Sequence, residues 1–190
     1  DMLGGCAVQM GIATYFSRHP CPVTLAFTFV ADEENLSMGM EHLVEHFIPT
    51  LPVKPMLGIF MEPTEEQIGI SHKGFAWFEI EIEGVAAHGS RPEEGVNAIF
   101  PLGYVLKELE IINQELSEEK PDPYLGHSSL HPGLISGGTS QSVIASRAKL
   151  NWERRILPSE SQGKLDAELQ RVISVATNVP GNHQIMGRKI

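Results

Sequence analysis

The run Thr24-Leu25-Ala26-Phe27-Thr28-Phe29-Val30-Ala31-Asp32-Glu33-Glu34 limits the possible folds more than any other stretch of the chain. It starts as unbroken β-prone apolar sequence, too short to span a membrane, and ends on three adjacent carboxylates. A continuous apolar run of this length reads as a strand buried on both faces, the kind found in parallel sheets covered by helices. The carboxyl ends of such strands are where α/β folds place their chemistry. Three neighbouring carboxylates repel one another, so a bound cation is the simplest reason to gather them there. The alternative is an acidic loop that caps the following helix.

Upstream, residues 2 to 17 set Val8, Met10, Ile12, Tyr15 and Phe16 among Gly4, Gly5, Ala7, Gly11 and Ala13, which predicts a helix able to lie close against a sheet. Asp1 stands just before it, and Ser17 to Pro22 ends it. Met40 to Phe47 has helical spacing and runs into Pro49, Pro52 and Pro55. Leu57-Gly58-Ile59-Phe60-Met61 reads as a second buried strand, and it too delivers an acid, Glu62, held by the Pro63-Thr64 turn.

The pattern changes at Lys73-Gly74. Phe78, Ile80 and Ile82 alternate with Glu79, Glu81 and Glu83, the mark of an antiparallel strand with one wet face. After a polar loop, Gly84 to Gly95, that holds His88, the residues Ala98, Leu102, Val105, Leu109, Ile112 and Leu116 form one helical stripe. Pro101 sits in its first turn. Leu134 to Ser136 and Val143 to Trp152 read as two strands joined through Gly137-Gly138. Ser159 and Gln162 suggest a capping box for a helix with Leu165, Leu169, Val172, Ile173 and Ala176 on its core face. A last strand falls near Gln184 to Met186. The order βαββαβ is the ferredoxin-like pattern. The expected fold is therefore α/β: a partial parallel-sheet domain over residues 1–72, then a ferredoxin-like α+β domain over 73–190, with a possible return to the first domain at the C-terminal end.

Composition supports a folded globular chain, since 42% of the 190 residues are hydrophobic and 20% charged. A formal charge of −10, with no Lys/Arg-rich run to neutralise phosphates, argues against nucleic acid or an anionic membrane as partner. Cys6 and Cys21 have neither metal-ligand nor redox spacing and read as reduced packing residues. No apolar run approaches the roughly 20 residues of a membrane span, and no leader-like stretch is visible, so the expected location is cytoplasmic.

Several motifs keep a common order: Asp1-Met2-Leu3-Gly4-Gly5, Asp32-Glu33-Glu34, Glu62-Pro63-Thr64, and Gly84-Val85-Ala86-Ala87-His88-Gly89-Ser90-Arg91-Pro92 leading to Gly95-Val96-Asn97-Ala98. Gly137-Gly138-Thr139 and Arg155-Ile156-Leu157-Pro158 follow. In this order they closely resemble the di-zinc amidohydrolases and exopeptidases that include acetylornithine deacetylase, succinyl-diaminopimelate desuccinylase, aminoacylase and carboxypeptidase G. The resemblance implies a zinc-hydrolase domain interrupted by a ferredoxin-like lid through which the protein forms a homodimer. It implies Asp1 as a carboxylate bridging two Zn2+ ions, Glu34 and Glu62 as ligands of one ion each, and Glu33 as general base. Two ions about 3.5–4 Å apart can hold a hydroxide near neutral pH. His88 matches the lid histidine that stabilises the oxyanion in the partner subunit's site. Arg155 matches an arginine that grips a substrate carboxylate, and Ser142 stands where many members place a substrate-contacting asparagine. The implied substrate is an N-acyl amino acid or a small peptide, and Co2+ or Mn2+ could replace zinc.

The chain also departs from that pattern. The histidine ligands expected upstream of Asp1 and far downstream are not in it, and Leu3 replaces a lysine of the first motif. The expectation is a segment of a protein about twice as long, inactive by itself. Two other readings stay open: a non-catalytic dimerisation or binding module built on the lid, and an inverted zinc protease using His42-Leu43-Val44-Glu45-His46, an H-x-x-E-H pattern with both histidines on one helical face.

Overall fold

The computed structural model describes residues 2–34 and 37–190, so the Asp1 expected as bridging ligand lies outside the described residues. The chain divides into two compact units, Asp1–Gly69 and Ile70–Ile190.

In the first unit, helix α1 (Met2–Phe16) forms where the small and apolar residues predict it. A Cβ on Gly5 would come 2.8 Å from the Met61 Cβ, so the glycine lets the helix backbone lie against the 57–61 segment. Helix α2 (Met38–His42) passes into one π-helical turn, Leu43–Phe47, and a short 3₁₀ turn, Ile48–Thr50, that contains Pro49. The two expected buried strands are not formed. Thr24–Val30 and Leu57–Met61 belong to no strand: among the described residues nothing pairs with either, and Leu25, Phe29, Leu57, Ile59 and Phe60 stay exposed. A strand exists only through a neighbour that takes its amides and carbonyls. Their apolar sequence is that of sheet interior, but the partial parallel sheet is absent from the described residues.

The second unit matches the predicted βαββαβ order. It comprises β1 (Gly74–Glu83), α3 (Ile99–Glu118), β2 (Ser129–Gly137), β3 (Arg147–Ile156), α4 (Gln162–Thr177) and β4 (Gln184–Lys189). The strands form one sheet in the order β2-β3-β1-β4, each neighbouring pair antiparallel. Their alternation sends Ala76, Phe78, Ile80 and Ile82 of β1 and Ala148, Leu150 and Trp152 of β3 to one face. There they meet Leu102, Val105, Leu109, Ile112 and Leu116 of α3 and Leu165, Val172 and Ala176 of α4. Burying each such large aliphatic side chain contributes roughly 1.5–3 kcal/mol. Phe78 and Trp152 stack with centroids 5.3 Å apart. On the other face Glu79, Glu81 and Glu83 pair with Lys149, Arg188 and Arg147.

Three local expectations change. Strand β2 starts at Ser129, five residues before the expected Leu134, although Pro132 lies inside it. A register shift between Pro132 and Leu134 and its place at the sheet edge make the proline tolerable. Strand β3 begins at Arg147, because Val143 is instead held by an isolated bridge to His88. The N-cap of α4 is Ser161, whose hydroxyl accepts from the Lys164 N–H. The C-terminal residues 184–189 complete the second unit's own sheet as β4. Among the described residues no helix is long and apolar enough to cross a membrane.

Candidate functional site

In the first unit Asp32, Glu33 and Glu34 stand at one turn, and Glu62 precedes another. Asp32 adopts φ +65°, a left-handed conformation that a short polar side chain tolerates. The chain turns there, with Ser37 N–H donating to the Asp32 carbonyl at 2.7 Å and Gly39 N–H to the Ala31 carbonyl. A Cβ on Gly39 would lie 2.5 Å from the Ala31 oxygen, so the start of α2 crosses this main chain with no room to spare. Glu33 and Glu34 project from the turn and are exposed. Glu62 is exposed at the end of the 57–61 segment, ahead of a turn closed by Gln67 N–H donating to the Thr64 carbonyl at 3.0 Å. Among the described residues no three His, Cys, Asp or Glu side chains gather closely enough to hold a metal ion. The His42 and His46 rings lie 5.0 Å apart and tilted, without a third ligating side chain beside them among those residues.

In the second unit the loop after β1 is tied down before it presents His88. A Cβ on Gly84 would sit 2.0 Å from the Val96 carbonyl oxygen, and Val85 and Val96 exchange backbone hydrogen bonds of 2.9 Å. Further along, Ile144 N–H donates to the Ala87 carbonyl and Gly89 N–H to the Ser142 carbonyl, both at 2.8 Å. The structure thus brings His88 and Ser142 together, with the Ser142 main chain holding the His88 loop and its hydroxyl 3.3 Å from that of Ser140. The exposed His88 ring carries Ser90 Oγ 2.8 Å from Nδ1, and the Ser90 N–H donates to Nδ1 at 3.2 Å. Ser90, part of the His88 motif but given no role from sequence, is the side chain that touches the ring, and its place two positions after the histidine was the only sign of that contact.

Arg155 emerges from the sheet face opposite α3 and α4. Its guanidinium pairs with Glu153 at 3.0 Å and lies over the Phe75 ring, 5.6 Å from the centroid. Trp77 Nε1–H donates to the same Glu153 at 3.3 Å. Its neighbour Arg154 turns the other way into the core, where Glu160 and Glu168 meet it. Burial pushes the Glu160 carboxyl up, but Arg154, the Leu157 N–H and Lys164 outweigh that and hold it below the ordinary glutamate value.

Residues 70–178 match the peptidase dimerisation domain of the M20 proteins. A probable carboxypeptidase of Aspergillus flavus is 34% identical over 158 residues, which are 80% of this chain and 38% of that protein. An M20-domain peptidase of Schizosaccharomyces pombe is 33% identical over 126 residues, 66% of this chain and 29% of its own length. The chain therefore spans well under half the length of these relatives. Among solved structures, an amidase of the hydantoinase/carbamoylase family from Burkholderia multivorans superposes with a TM-score of 0.50 at 19% identity, over 63% of this chain and 28% of that one. That likeness is one of fold.

Proposed function

The chain belongs to the M20 peptidase family through its dimerisation domain, and on that premise we propose that the whole protein hydrolyses the amide bond of an N-acyl amino acid or small peptide. The observation that carries the reading is His88, an exposed ring on a loop pinned at both ends, whose Nδ1 is engaged by Ser90, which leaves Nε2 to present an N–H to substrate. Such an N–H suits an amide oxygen that gains negative charge as water attacks the carbon. Glu33 is the proposed base: it takes the water's proton and returns it to the leaving amine. Arg155 is the proposed clamp for a substrate carboxylate, which would have to displace Glu153. Residues 1–72 and 73–190 are read as catalytic part and lid.

For a divalent ion the chain would contribute the oxygen donors Asp1, Glu34 and Glu62. Zinc also takes His or Cys, and no complete donor set forms among the described residues, so no step here runs through an ion. When bound, a Zn2+ pair, or Co2+ or Mn2+ in its place, would make water acidic enough to attack near neutral pH.

The test uses a protein of the relatives' length. Glu33→Gln should lower kcat by at least about 10²-fold, while Glu45→Gln should leave it unchanged; the reverse would favour the H-x-x-E-H protease. A binding module is favoured by one observation, the four-stranded second unit with its own core. Dimerisation of the longer protein with no metal uptake would point to it.

The proposed homodimer forms through the lid. β2 is an edge strand, and Leu134 and Ile135 on it are 71% and 60% exposed. Ile99, close against Gly137, and Leu106, two helical turns on, extend the apolar surface along α3. An open edge flanked by apolar side chains is a template for a second strand.

A further inference from the structure

We propose that Ser90 is the positioning residue for His88: it holds the neutral ring in the tautomer with its proton on Nε2, so that the loop presents one outward N–H donor. The catalytic meaning rests on the His88 reading above, but the tautomer itself rests only on local geometry.

A neutral imidazole has one donor nitrogen and one acceptor, and its partners decide which is which. Here two groups of one residue converge on Nδ1, the Ser90 backbone N–H at 3.2 Å and the Ser90 Oγ at 2.8 Å. A backbone N–H can only donate. A proton on Nδ1 would face that N–H directly, so Nδ1 keeps its lone pair, the hydroxyl turns to donate to it, and the proton sits on Nε2.

The main chain around the ring is fixed on both sides. His88 bridges Val143, its carbonyl accepts from Arg91 N–H at 2.8 Å, and Gly89 N–H donates to Ser142. A Cβ on Gly89 would lie 3.2 Å from the Ser142 oxygen, so the residue between His88 and Ser90 is held tight as well. Ser90 therefore acts on a ring whose backbone is already placed. With the opposite tautomer, Nε2 would turn a lone pair toward a developing oxyanion and repel it.

The test is a long-range 1H–15N correlation spectrum of the 190-residue chain labelled with 15N-histidine, at about pH 9, above the ordinary histidine range. His88→Gln identifies the His88 signals among the eight histidines. The wild-type ring should be predominantly Nε2–H. Ser90→Ala should lower the ratio of Nε2–H to Nδ1–H by roughly two- to tenfold, the loss of one hydrogen bond, and Ser90→Thr should restore it. A predominantly Nδ1–H wild-type ring overturns the proposal even if the variants do not fold, and so does an unchanged ratio in a folded Ser90→Ala chain. In the longer protein, Ser90→Ala should lower kcat by a similar factor with KM retained. Full turnover in His88→Ala would instead overturn the catalytic reading and leave the tautomer result standing.

Discussion

Arg154 donates from Nε and Nη2 to the two carboxylate oxygens of Glu168, at 2.9 and 3.1 Å, from a position with no solvent exposure. Burial alone would pull the guanidinium's pKa down, but its hydrogen bonds to Glu168 and Glu160 outweigh that and raise it above the ordinary arginine value. Arg154→Met leaves both carboxylates without the cation they were folded around, with Lys164 2.9 Å from Glu160. The expected cost is about 3–5 kcal/mol, read from urea unfolding. Replacing Arg154, Glu160 and Glu168 together by apolar residues should recover most of it. A single Arg154→Met chain with wild-type stability would contradict this.

Gly84 and Gly103 should respond to alanine in opposite directions. At Gly84 the added Cβ meets the Val96 carbonyl oxygen at 2.0 Å, and neither backbone can yield without disturbing the His88 loop. Gly84→Ala should destabilise by about 3 kcal/mol. Gly103 lies in α3 with nothing within 4 Å of the new atom. Gly103→Ala should stabilise by about 0.5–1 kcal/mol. Thermal melts of the two variants decide both signs.

The second unit should lose stability in acid. A hydrogen bond from Lys149, with others from Asn151 and Arg188, holds the Glu79 carboxyl below its ordinary value of 4.5 against the effect of burial, and Glu160 is held low as well. Folded-state values below the unfolded ones mean that the unfolded chain binds more protons in the window between them. The stabilisation is complete above about pH 4.5 and is lost as pH falls through the lower folded values. Melting temperature should be flat from pH 7 to about 5 and then fall, less steeply in Glu79→Gln. An unchanged slope in that variant would exclude Glu79 as a source.

The β2 edge gives a prediction about assembly. Ile135→Lys, or Leu134→Lys, places a charge on the exposed edge without touching the core cluster, so the fold should survive and self-association weaken. Sedimentation equilibrium should show a dimer dissociating at least about tenfold more readily. A folded variant as dimeric as the wild type would place the interface elsewhere.

How much could be read beforehand differs between the two units. The alternation of Phe78, Ile80 and Ile82 with three glutamates, and the stripe from Leu102 to Leu116, are local periodicities, and the structure realises them residue for residue. Thr24–Val30 shows the limit: its composition is that of a buried strand, but a strand requires a partner, and composition cannot supply one. Pro132 hid the start of β2, because a proline is an obstacle in a central strand and harmless at an edge. Glu168 sat among apolar residues of the α4 stripe with no sign of why, until Arg154 was found opposite it.

Local repetition and the order of short motifs were therefore enough to determine the βαββαβ domain, its core faces and the family, because side-chain direction follows from helix and strand geometry within a few residues. Contacts between separate elements and loops were decided only by the tertiary structure: the neutralisation of Arg154 by Glu160 and Glu168, the Gly84 contact with Val96, and the clamp that Ser142 places on the His88 loop. Each depends on two chain segments meeting at hydrogen-bonding or van der Waals distance. Which segments meet is set by the packing of the whole domain, and no local periodicity encodes it.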